Sequence, residues 1–271
     1  RYIFTTTDNW SATAEKAVQN QTVPVHKIGM EQLAESPVDW SGFSLKHPDR
    51  IPLRARKALR AHQREALDDV ITGFGEHDRG KLIMACGTGK TFAALRLAEE
   101  MAPSGGLVLF LAPSISLVSQ SLREWTAEAE VPFHAFAVCS DTRVGREAGD
   151  LSVSDLAYPA TTDPQRLAAG LAGLEDGTRR VVFATYQSIQ VVANALAAAG
   201  LVVDLAICDE AHRTAGVTLP GEDPSNFVKV HDDRALPAHK RLYMTATPRI
   251  FTAASQDKAK EKEAAMYSMD D

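Results

Sequence analysis

Two glycines, Gly87 and Gly89, stand on either side of Thr88 and are followed at once by Lys90 and Thr91. Backbone N–H groups can wrap an anion only where side chains do not intrude, so this spacing suits a loop that closes around a polyphosphate. The residues on either side supply the frame. Lys81-Leu82-Ile83-Met84 reads as a short buried strand entering the loop. From Thr91 to Met101, Phe92, Leu95, Ala98 and Met101 recur at three-residue spacing, with Arg96, Glu99 and Glu100 on the other side, which predicts a helix leaving it. That helix would aim the partial positive charge of its N-terminus at phosphates. Lys90 would add a point charge for the outer phosphates, and the Thr91 hydroxyl a magnesium ligand. Met84 departs from the general phosphate-loop pattern, which has its first glycine there.

A second apolar run, Leu205-Ala206-Ile207-Cys208, ends in Asp209-Glu210-Ala211-His212. A strand ending in two carboxylates lets Asp209 hold magnesium, directly or through water, and lets Glu210 polarise an attacking water. Asp-Glu alone reads as a solvated acidic turn. Joined to the glycine loop, each after its own strand, it completes a site that can bind a nucleoside triphosphate and cleave its terminal phosphate.

Short apolar runs at Leu107 to Ala112, Val181 to Thr185, Val203 to Cys208 and Arg241 to Thr245 alternate with helical periods at Ser116 to Ala129 and Ile189 to Ala199. Continuous apolar strands fit a parallel sheet covered on both faces, so the pattern predicts a doubly wound α/β fold with its ligand at the carboxyl ends of the strands. Ser140 to Gly177 reads as a loop-laden insertion with one helix near Gln165 to Leu174, and Thr218 to Pro237 as another loop. Ahead of these, Ile3-Phe4-Thr5-Thr6, a helix over about Ser11 to Asn20, a strand over Val23 to Ile28 and a turn at Met30 to Leu33 predict a compact β-α-β unit.

At 271 residues and 45% hydrophobic, the chain can bury one large core and a smaller piece. No apolar run approaches the roughly 18 residues that span a bilayer, and the start is unlike a signal peptide. The three cysteines, Cys86, Cys139 and Cys208, lack metal-ligand spacing and read as small core residues of a reducing compartment, so a cytoplasmic location is expected. A chain starting at Arg1 is expected to be part of something longer. The net charge is −6, yet seven Lys/Arg against Asp49 crowd the stretch from Lys46 to Arg64. That stretch suits either phosphate steering or a solvated linker helix.

The motif order resembles the superfamily two helicases and translocases that include the DEAD and DEAH proteins. Leu59 to Gln63 resembles their adenine-reading element, with Gln63 offering an amide to the base. Met84 to Thr91 resembles their phosphate loop, which commonly lacks the first glycine, so the resemblance assigns Gly87, Thr88, Gly89, Lys90 and Thr91 to the nucleotide. Leu111-Ala112-Pro113-Ser114 with Leu117 and Gln120, and Thr185-Tyr186-Gln187-Ser188, resemble the two nucleic-acid-contact motifs; Pro113, Ser114, Gln120, Thr185 and Gln187 are the residues implied. Asp209 to His212 is similar to the acidic box. Thr245-Ala246-Thr247 resembles the element that couples, with His212, the ATP site to strand contacts. For Thr185 and Thr247 the plain alternative is a strand-end capping hydroxyl.

The resemblance implies a RecA-like P-loop NTPase domain over residues 59–250, with ATP and Mg²⁺ as ligands and Lys90, Asp209 and Glu210 as catalytic residues. Residues 1–40 resemble the end of Mrr-like nuclease domains, whose catalytic residues would lie elsewhere. Residues 41–58 read as a basic linker, and 251–271 as a helical linker toward a second RecA-like domain. This combination is most similar to type ISP restriction-modification enzymes and related phage-defence helicases. Duplex DNA is then the expected partner, alongside nuclease and methyltransferase parts of a full-length chain. A DEAH-type RNA helicase and a non-hydrolysing RecA-like regulatory module are the alternatives.

Overall fold

The computed structural model describes residues 2–6, 10–11, 13–14, 17, 25–139, 160–218, 225–248 and 265–267. Near the start, β1 (Tyr2–Phe4) pairs in parallel with β2 (His26–Ile28), Tyr2 opposite His26. Parallel neighbours need a crossover connection. Of the helix expected over about 11–20, Ser11, Thr13, Ala14 and Ala17 are described, and all but Ser11 are helical. Where a turn was expected after β2 there is a short helix, α1 (Met30–Glu35).

Residues 41–58 form no helix, and the bridge Val38 to Leu53 ties the stretch back on itself. Two of its cations, Arg54 and Lys57, have protein partners. Arg54 donates to the Ala34 carbonyl at 2.8 Å, and Lys57 lies 3.2 Å from Glu124 and 3.7 Å from Glu128. The solvated linker helix is therefore absent, and regular structure resumes only with α2 (Ala61–Glu76).

The chain then builds β3 (Arg79–Ile83), α3 (Lys90–Met101), β4 (Leu107–Ala112), α4 (Ile115–Glu128), β5 (Phe133–Val138), β6 (Ala160–Thr161), α5 (Pro164–Ala172) and β7 (Arg179–Thr185). After β7 come α6 (Ile189–Ala199), β8 (Val203–Cys208), β9 (Gly216–Thr218), β10 (Ala238–Thr245) and β11 (Ala265–Tyr267). Seven of these strands form one parallel sheet in the order β3-β10-β8-β4-β7-β5-β6.

Every residue of β4 is buried because the strand is central and covered on both faces. Its side chains alternate between two cores. Val108, Phe110 and Ala112 pack with apolar residues of α2, α3 and α4, whereas Leu107, Leu109 and Leu111 pack with those of α5 and α6. The doubly wound pattern is thus met. On the first side Trp125 sits among Phe110, Phe133 and Phe183 at centroid distances of 5.3 to 6.3 Å. Its indole N–H donates to the Thr91 carbonyl at 3.0 Å, tying α4 to the start of α3.

Several expectations change. β3 pairs only with β10, so it is an edge strand and leaves Lys81 and Ile83 exposed instead of being buried throughout. α2 and β5 were not anticipated. Of the insertion expected over 140–177, residues 140–159 lie outside the described residues, while α5 stands close to the expected helix. Residues 219–224 also lie outside them, and the described remainder of that loop holds a 3-10 turn at Lys229–His231. Most of the helical linker expected over 251–271 is undescribed too. Its described part, β11, is a strand, antiparallel to β9, because its backbone pairs there rather than with itself.

His231 gives the fold a pH dependence. Its Nε2 lies 3.2 Å from the Thr214 carbonyl, which can only accept, so Nε2 carries the proton and Nδ1 accepts from the Tyr243 hydroxyl at 3.0 Å. Burial, reinforced by Arg79 and Arg241, holds this imidazole down at about 4. The unfolded chain therefore takes up the proton first, and stability falls as pH drops from about 6.5 to about 4, by up to about 3 kcal/mol. Urea unfolding of His231→Gln is expected to lose less stability than wild type over that window; parallel losses would refute the assignment.

Candidate nucleotide site

The site lies at the carboxyl ends of β3, β8 and β10, three neighbouring strands. Two backbone bonds hold their ends in step. The Met84 N–H donates to the Thr245 carbonyl at 3.1 Å, and the Asp209 N–H to the Leu111 carbonyl at 2.8 Å. The loop after β3 and the acidic box after β8 thus lie at the same, carboxyl end of the sheet, as expected.

In the loop, Gly87 and Gly89 have φ of +75° and +85°, values that L side chains rarely adopt. A Cβ on Gly87 would meet nothing within 4 Å, so conformation alone requires glycine there. At Gly89 a Cβ would also press on the Gln63 amide, which would have to move from its place against the loop. The Thr88 hydroxyl donates to the Ala85 carbonyl at 2.7 Å and closes the turn. α3 begins at Lys90, whose Nζ donates to the Met84 carbonyl at 3.2 Å and so folds back over the loop. Thr91 follows in the first turn, half-buried.

Gln63 is only 4% exposed, and both ends of its amide are engaged. Its carbonyl accepts the Arg60 N–H at 2.9 Å, one arm of a capping box on α2, and its NH2 donates to the Thr88 carbonyl at 2.8 Å. The side chain expected to face a base thus clasps the phosphate loop here.

Asp209 is 6% exposed, and burial pushes its carboxyl up to about 6, against the Glu210 N–H bond and the Lys90 charge, which favour the anion. Glu210 is the one non-glycine among the described residues with positive φ, at φ 49° and ψ 45°. Such a conformation costs on the order of 1 kcal/mol and needs its surroundings to hold it. Several bonds do so. The Glu210 N–H donates to Asp209 Oδ1 at 3.0 Å, and the Tyr186 hydroxyl donates to the Asp209 carbonyl at 2.9 Å. His212 Nδ1 stands 3.2 Å from Glu210 Oε2 and 3.1 Å from Thr245 Oγ1. Thr245 Oγ1 in turn accepts the Thr247 N–H at 3.1 Å. His212, Thr245 and Thr247 therefore form one chain from the acidic box to β10.

The residues of the two nucleic-acid motifs follow adjacent strands, since Ala112 of β4 is in register with Thr185 of β7. The Ser114 hydroxyl caps α4 by accepting the Leu117 N–H at 3.3 Å. Pro113 is buried, whereas Gln120 and Gln187 are exposed. Thr185 is buried, its hydroxyl 3.1 Å from that of Ser188. Cys139 and Cys208 are buried, and burial pushes each thiol up to about 12; Cys86, read as a core residue, is exposed because the loop it occupies is open. Tyr186 was passed over in the sequence because nothing local marks its contact with Asp209.

The donor set suits a magnesium nucleotide. Among the described residues no cluster of three His, Cys, Asp or Glu side chains could hold a metal alone, and magnesium ordinarily keeps waters and phosphate oxygens beside one or two protein ligands. Thr91 and Asp209 are the hydroxyl and carboxylate expected for that part.

A glycine loop that follows an edge strand, with its lysine opening the next helix, beside a strand-end carboxylate pair on a parallel sheet, defines a P-loop domain of the helicase class. Residues 56–250 match the family described as Type III restriction enzyme, res subunit, and the chain belongs to that family. Its superfamily two motifs agree with this membership. Residues 1–50 match a second family, of Mrr type, described as Restriction endonuclease. No curated protein matches the chain.

Among solved structures, the ATP-dependent Type ISP restriction-modification enzyme LlaBIII bound to DNA is 35% identical over 99% of this chain, with a TM-score of 0.80. A nuclease-deletion mutant of the Type ISP enzyme LlaGI in complex with a DNA substrate mimic is 37% identical over 79%, with a TM-score of 0.60. This chain spans 18% and 19% of those two proteins. Among the described residues no helix is long and apolar enough to cross a membrane.

Proposed function

We propose that this chain is the ATP-binding half of an ATP-dependent DNA translocase, the motor of a restriction-modification or phage-defence enzyme. The observation that carries the reading is the meeting of Lys90, Asp209 and Glu210 at the carboxyl end of the sheet, with Asp209 buried and sensitive to the Lys90 charge. Lys90, the loop N–H groups and the N-terminus of α3 hold the phosphates. Thr91 and Asp209 hold magnesium, which when bound neutralises phosphate charge and polarises the terminal phosphoryl group. Glu210 accepts the proton of the attacking water, oriented by His212.

His212, Thr245 and Thr247 link this chemistry to strand contacts by Pro113, Ser114, Gln120, Thr185 and Gln187. The match of residues 1–50 to a restriction endonuclease family favours DNA over RNA as the track. A second RecA-like domain of the full-length protein supplies the remaining transition-state charge, and its nuclease and methyltransferase parts act on the DNA. The test is steady-state ATPase of the full-length protein with duplex DNA, with RNA and with neither. Stimulation by duplex DNA alone is expected; stimulation by RNA alone, or no turnover under any condition, would overturn the reading.

A further inference from the structure

We propose that Tyr186 is a positioning residue that transmits engagement of nucleic acid at Thr185 to Gln187 to the catalytic base Glu210. The inference rests on the motor reading above. Tyr186 occupies the 3-10 turn Tyr186–Ser188 that follows β7, inside the second nucleic-acid motif, yet its side chain points inward and is 0% exposed. Its hydroxyl donates at 2.9 Å to the carbonyl of Asp209. That carbonyl belongs to the peptide unit that also carries the Glu210 N–H, so its orientation fixes the positive φ of Glu210. A hydroxyl buried this deeply has no water to replace the bond.

The other side of the turn is also held. The Tyr186 ring lies on Phe227 with centroids 4.9 Å apart, and Asn226 Nδ2 donates to the Gln187 carbonyl at 3.3 Å. The turn, the segment around Asn226 and Phe227, and the acidic box are therefore packed as one body. Gln187, exposed beside Tyr186, is the part a strand can touch. A shift of the turn moves the hydroxyl, the hydroxyl moves the Asp209 carbonyl, and the peptide ahead of Glu210 rotates with it.

Tyr186→Phe in the full-length enzyme removes the hydroxyl and keeps the ring. KM for ATP is expected to stay within about twofold, while kcat at saturating duplex DNA falls roughly tenfold and the ratio of stimulated to unstimulated rates shrinks. A merely structural tyrosine would lower the melting temperature and reduce both rates alike. In a double-mutant cycle, Gln187→Ala is expected to cost DNA stimulation in the wild type and little more in Tyr186→Phe. Should Tyr186→Phe not fold, Phe227→Leu, which loosens the ring from outside, is expected to lower the ratio less strongly in the same direction. An unchanged ratio in the folded variant, or additive losses in the cycle, overturns the inference alone. A wild-type enzyme that duplex DNA does not stimulate overturns the motor reading and this inference with it.

Discussion

Lys90→Ala is expected to abolish measurable nucleotide binding with little loss of fold. Lys90 places its ammonium over the loop through the Met84 carbonyl, and its charge favours the Asp209 anion. It opens α3 from a position on the loop side, and the hydrophobic contacts that hold the helix, through Phe92, Leu95 and Ala98, do not involve it. Removing it deletes a charge-assisted contact to several phosphate oxygens, a loss on the order of a hundredfold or more in affinity. Calorimetric titration with Mg-ATP, beside a thermal melt, is the check. Wild-type affinity in a folded variant would mean that the phosphates bind elsewhere.

Glu210→Gln separates binding from chemistry. The amide has nearly the size of the carboxylate, so the positive φ and the neighbourhood of His212 are retained, but it cannot take the proton of water. Nucleotide affinity should stay close to wild type while turnover falls roughly a hundred- to ten-thousand-fold, measured in the full-length enzyme with DNA. Undiminished turnover would move the base to another residue. Loss of binding and turnover together would instead give Glu210 a part in holding the nucleotide.

The sequence discloses those parts of the molecule where one local requirement admits few residues. Gly87 and Gly89 are legible because positive φ leaves little choice. β4, β7, β8 and β10 are legible because burial on both faces demands unbroken apolar runs. α2 is harder to see. Its buried positions Gln63, Leu67, Val70 and Phe74 have helical spacing, but Arg64, Glu65, Asp68 and Asp69 dominate the stretch, and only its first turn falls within the basic run that ends at Arg64. β5 begins directly after Pro132 and contains His134, and its half-buried positions blur the apolar signal. The edge position of β3 follows from strand order, which no single strand encodes.

Contacts between distant residues are the least legible. Gln63 belongs to a motif associated with bases, and only the packed structure has it clasping Thr88. The Tyr186 hydroxyl and the Asp209 carbonyl meet because β7 and β8 both flank β4, a fact of topology rather than of either segment.

The edge position of β3 also has a mechanical side. At the start of the phosphate loop the Met84 N–H continues the β3–β10 ladder by donating to the Thr245 carbonyl, and Thr245 in turn grips the Thr247 backbone. Among the described strands, β3 pairs with β10 alone. The backbone at Thr247 is therefore coupled to the start of the nucleotide loop through Thr245, the last residue of β10. The arrangement is a short lever with its fulcrum in the sheet and the nucleotide at its tip.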